Sequence, residues 1–144
     1  MTIKEINDMV NDRTQSVPRT DDYLSPHWYA RFFMAEGIIK SCVDIEPCEE
    51  PTLKVTERCY EMPYCDDDEN AVILSIEVGS RQEPYPSGTI FFIQLRHENS
   101  NIWETHISSV YEDRFTDIDY LSVHPHNCKV GDIYEVRIKK WEDD

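Results

Sequence analysis

His124, His126 and Cys128 place three metal-ligating side chains at alternate positions of one short segment, His-Pro-His-Asn-Cys. In extended backbone alternate side chains face the same way, so these three would share a face. With a further cysteine they would suit a tetrahedral zinc ion. The other cysteines, Cys42, Cys48, Cys59 and Cys65, run as C-x5-C, ten residues, then C-x5-C. Structural zinc sites close their turns with roughly two to four residues between cysteines, and no such spacing occurs here. Cys42 falls on an apolar helical stripe and Cys59 on an apolar strand face, where a thiol acts as a small hydrophobe. Buried free thiols and no bound cofactor are therefore expected.

Two further groupings have the right residue types in the wrong context. Asp66, Asp67, Asp68, Glu69 and Asn70, with Glu77 twelfth from Asp66, follow much of the calcium-loop pattern. Ala71 stands where that loop needs a glycine for its sharp turn, and no flanking helices are predicted. An acidic hairpin loop that discourages edge pairing is the simpler reading. Glu104, His106 and Ser108 line one strand face as an acid, a base and a hydroxyl. Same-face neighbours on a strand stand about 7 Å apart, too far for a ready nucleophile–base hydrogen bond. A polar, half-exposed strand face is expected instead. Nucleophile-elbow, phosphate-loop, dinucleotide and zincin motifs are missing, and the chain has only 4 glycines for a phosphate cradle.

The acids remain. Asp and Glu number 29 against 14 Lys and Arg, a formal charge of -15. They gather in three places: Asp44, Glu46, Glu49 and Glu50; Asp66, Asp67, Asp68 and Glu69; and Glu112, Asp113, Asp117 and Asp119. Such a field repels nucleic acid and anionic membrane and attracts basic protein surfaces. Carboxylates spaced on a rigid surface can imitate a duplex, which carries one charge per roughly 1.7 Å. The same acids also serve as a solvated, solubilising face.

The elements that must position these groups can be read from period and punctuation. Thr2 and Glu5 form a capping-box pattern, and Ile3, Ile6, Met9 and Val10 follow at helical spacing, predicting a helix near residues 2–11. A polar stretch through Asp22 then reads as a linker. Ser25 and Pro26 open a second helix, with Trp28, Phe32, Ala35, Ile39 and Cys42 as its stripe and Tyr29, Phe33 and Val43 widening it. That helix should end near Asp44. From Thr52 the period becomes two, with strands expected in TLKVTERCY, AVILSIEV, the segment from Ile90 to Leu95, the segment from Trp103 to Tyr111, and IYEVRIKKW. The segment from Ile90 to Leu95 is apolar on both faces and should be central. Asn99 to Asn101 reads as a hairpin turn and Gly131-Asp132 as the turn into the last strand.

Short polar connections without crossover helices imply antiparallel pairing. The expected fold is α+β: two N-terminal helices on a curved antiparallel sheet of about five strands, bent toward a partial barrel. Residues 1–22 are read as a helix and linker, and 23–144 as one domain, the size of a single core. No leader pattern or membrane-length apolar run is seen, so a cytoplasmic protein is expected. The leading functional expectation is a non-catalytic inhibitor that binds a basic surface, such as that of a nucleic-acid-binding enzyme, by charge mimicry. It would touch neither nucleic acid nor membrane directly. A structural or assembly subunit of a larger complex such as a virion, and a small metal-binding protein or metal-dependent enzyme, are the alternatives.

Overall fold

The computed structural model describes residues 1–48, 53–61, 72–79, 82–113 and 118–141. Helix α1 spans Ile3–Arg13, and both halves of its capping box form between Thr2 and Glu5. Helix α2 spans Pro26–Ser41, capped by the Ser25 hydroxyl, which accepts from Trp28 N. Eight strands follow: β1 (Leu53–Arg58), β2 (Tyr60–Glu61), β3 (Val72–Val78), β4 (Ile90–His97), β5 (Glu104–Ser109), β6 (Tyr111–Asp113), β7 (Ile118–Val123) and β8 (Ile133–Lys140).

The fold class is α+β; among the described residues all strand pairing is antiparallel and no barrel closes. The strands divide into two sheets, ordered β1-β8-β4-β5 and β2-β3-β7-β6. This division is the main departure from a single curved sheet. It arises at two corners where one residue leaves the ladder and the chain changes sheet, as in orthogonal sheet packing. Cys59, between β1 and β2, is 1% exposed and bonds through its backbone to Asp132 O and from Gly131 N. Val110, between β5 and β6, is fully buried and bonds in the same way to Thr89 O and from Gly88 N. Both runs look like single strands in sequence because the bend costs only one residue.

The first core lies between the sheets. Phe91, Ile93, Leu95, Tyr134, Val136 and Ile138 from one sheet meet Leu74, Ile76, Val78, Leu121 and Val123 from the other. The second lies on the far face of the first sheet, where Ile90 and Phe92 of β4, with Trp141, meet Ile3, Ile6 and Val10 of α1 and Trp28, Ala35, Ile38 and Ile39 of α2. β4 therefore buries both faces, as its unbroken apolar run requires. Helix α1 contributes to the same core as α2.

Strand β7 was not legible from apolar periodicity. Its buried positions are Asp119, Leu121 and Val123, so a carboxylate interrupts the alternation at its first inward place. After α2 the chain crosses the first sheet and is pinned there. Gln94, 2% exposed, donates from Nε2 to Glu46 O and accepts Cys48 N at Oε1.

Candidate functional site

The metal-ligand candidates sit just past the end of β7. The strand stops at Val123, and the chain turns at residues 126 and 127, with Asn127 in the left-handed region at φ 53°. The extended geometry that would align alternate side chains therefore ends before they begin. His124 Nδ1 lies 3.3 Å from Val72 O, while the His126 ring turns toward His106, with centroids 6.0 Å apart. Cys128 Sγ donates to Pro125 O at 3.2 Å and packs against the inter-sheet core beside Cys59. His124, His126 and Cys128 thus have separate neighbours. Among the described residues no group of three or more His, Cys, Asp or Glu side chains is gathered to hold a metal ion.

Glu104 and His106 do meet, closer than ideal strand spacing suggests. His106 Nε2 stands 3.0 Å from Glu104 Oε2, and His126 N donates to the same oxygen at 3.4 Å. The bond from His106 holds the Glu104 carboxyl below its usual range, against the opposing effect of burial. Ser108 takes no part: its hydroxyl donates to Ser122 O and ties β5 to β7. Ser108 is thus turned away from the acid–imidazole pair.

Cys59 is buried, Cys42, Cys48 and Cys128 are half-buried, and Cys65 lies outside the described residues. Burial pushes the Cys59 thiol up to about 12, with Cys128 adding to the effect. Burial also raises Cys128 and Cys48. Groups held as neutral thiols are poor nucleophiles at neutral pH.

No protein-family model, curated protein or solved structure matches this chain.

The acidic groupings divide. Asp44 and Glu46 are exposed, on a segment held by Met1 as well as Gln94: Met1 N donates to Asp44 O and Glu46 N to Met1 O. Glu49, Glu50, Asp66, Asp67, Asp68, Glu69 and Asp117 lie outside the described residues, as does the calcium-like loop they include in part. Glu112 and Asp113 are described by their backbone in β6 alone. Asp119 departs from the expected surface cluster. It is 9% exposed and accepts a hydrogen bond from Tyr85 N at 3.0 Å, because its place in β7 faces inward.

The face that periodicity did not separate is the outside of α2. Apolar residues surround this helix, yet the sheet covers only the arc of Trp28, Arg31, Ala35, Ile38 and Ile39. Tyr29 and Phe33, predicted to widen the core stripe, stack on each other at 5.6 Å in solvent, and Phe33 is 58% exposed. Met34 is exposed with them, while Leu24 and Val43 stand exposed near the two ends of the helix. Exposed carboxylates also lie near both ends: Asp21 and Asp22 before it, Asp44 and Glu46 after it. A helix apolar on all sides is ordinarily covered on all sides. That was the available clue.

Proposed function

We propose that this protein is a non-catalytic, acidic interaction protein that docks on a basic protein surface through the outer face of α2. The observation that carries the reading is the exposed Tyr29, Phe33 and Met34 surface on a chain with a formal charge of -15. Aromatic anchors inside a charged rim are the usual anatomy of a specific interface. Carboxylates near both ends of the helix favour a cationic partner, since two copies meeting on this face would oppose like charges. Lysines and arginines that serve a partner in binding nucleic acid would meet the same rim, which makes competitive inhibition the specific form of the proposal. Assembly through a second copy is the other reading of the same apolar face.

The test uses proteins captured from extracts of the producing cell, then purified and titrated singly. A basic partner should bind the wild type, lose affinity between about 50 and 500 mM salt, and fail to bind Phe33→Asp. If it binds nucleic acid, duplex DNA should compete. Affinity unchanged by salt or by Phe33→Asp would overturn the proposal. Dimerisation of the wild type that Phe33→Asp abolishes would favour assembly instead.

A further inference from the structure

Cys59 and Cys128 meet where the chain passes between the two sheets. Cys59 occupies the corner between β1 and β2, and Cys128 lies in the turn that leads from β7 to β8. Main-chain bonds fix that turn to the corner: Cys59 N donates to Asp132 O at 3.0 Å, and Gly131 N donates to Cys59 O at 3.1 Å. The turn is also closed on itself, by Asp132 N to Lys129 O and by Lys129 N to the Asp132 carboxylate, each at 3.0 Å. Both cysteine side chains pack into the inter-sheet core.

The two thiols are ordered as well as adjacent. Burial raises both; the Cys59 thiol also donates to the Cys128 sulfur, which adds to the effect at Cys59 and opposes it at Cys128. Cys128 Sγ in turn donates to Pro125 O at 3.2 Å. Cys128 is half-buried, whereas Cys59 is 1% exposed. The more exposed cysteine is therefore also the one whose thiolate its neighbour stabilises.

We propose that Cys59 and Cys128 form a reversible disulfide by exchange with a small-molecule disulfide, Cys128 attacking first and Cys59 resolving. In the first step Cys128 gives its proton to solvent and bonds one sulfur of the small disulfide, whose other half leaves as a thiolate. In the second the Cys59 thiolate attacks the Cys128 sulfur and expels the remaining half. The two cysteines lose two electrons and two protons, and the small disulfide is reduced to two thiols. Because both thiols are held neutral, exchange is slow at pH 7 and speeds up as pH rises. The bridge ties the β1–β2 corner to the turn before β8, closing a long loop through β2 to β7, the kind of closure that stabilises most. It is separate from the outer face of α2 and does not rest on the docking proposal.

The probe is oxidised glutathione in excess, added to the folded wild type without denaturant. The protein should lose two hydrogens, and a peptide map made without reduction should show Cys59 joined to Cys128, forming faster as pH rises from about 7 to 9. Its Tm should rise by about 5–15 °C and fall back on reduction. Cys59→Ala should stop at one glutathione held on Cys128, and Cys128→Ser should leave Cys59 unmodified while the chain is folded. The wild-type map reads the bridge whether or not either variant folds. Phe33→Asp should oxidise as the wild type does, so loss of a partner in that variant bears on docking alone. A folded wild type that forms no such bridge, a bridge from either cysteine to Cys42, Cys48 or Cys65 instead, a bridge that forms only in urea, or a Tm lowered by oxidation would each overturn the proposal.

Discussion

At Asp119 a carboxylate that charge counting assigns to the surface holds the backbone of Tyr85 in place across the end of β7. Replacing it with alanine leaves that N–H without its acceptor, and Asp119→Ala should cost about 1–3 kcal/mol in urea unfolding. Asp119→Asn keeps an acceptor and should cost less. Equal losses would mean that packing, not the hydrogen bond, is what Asp119 supplies. Cys59 makes a different prediction, through pH. Its folded thiol is pushed up to about 12 from an ordinary 9.0, so the folded state disfavours the thiolate. Its contribution is intact below pH 9.0 and is lost as pH rises through the interval up to about 12. Cys59→Ala should therefore show a shallower alkaline decline in unfolding free energy than the wild type, whatever the substitution costs at neutral pH.

Helix caps and turns are where local sequence acts most directly. Both partners of the capping box at α1 are made, so Thr2→Ala should lower stability by about 1 kcal/mol, read by thermal unfolding. Gly88 is more demanding. Its φ is +91°, and a Cβ there would meet the Tyr23 side chain at 2.5 Å. Gly88→Ala should cost more than about 1 kcal/mol, since strain and overlap act together. Gly37, in the middle of α2, has the opposite character: a Cβ there meets nothing within 4 Å. Gly37→Ala should raise stability by about 0.5–1 kcal/mol, the usual helix-interior difference. The change is read by thermal unfolding, and a clearly destabilising result would count against open space at this position.

For the molecule as a whole, charge sets two opposing responses. A net charge of -15 repels itself, so raising salt from about 20 to 500 mM at pH 7 should stabilise the folded state, read as a higher Tm. Glu135 works against that trend on acidification. Arg96 and Lys54 bond its carboxylate and hold it down to about 2, well below an ordinary 4.5. That contribution is present above pH 4.5 and is lost as pH falls toward about 2. Glu135→Gln should flatten the acid limb of the stability profile while leaving the response to salt at pH 7 in place. Arg137, stacked at 4.4 Å over Trp103, carries the same network along β8.

Much of this architecture is legible in one dimension because caps and side-chain period are local properties. Thr2, Glu5, Ser25 and Pro26 mark the helix starts, and the doubly apolar run of β4 marks the central strand. Strand β7 was hidden because Asp119 breaks the pattern that would reveal it. Periodicity says which residues share a face, but not which face meets which. The bends at Cys59 and Val110, the separation of His124 from His126 and Cys128, and the exposure of Tyr29 and Phe33 were decided by tertiary packing. One sheet can cover only one arc of a helix, and one turn can redirect neighbouring side chains.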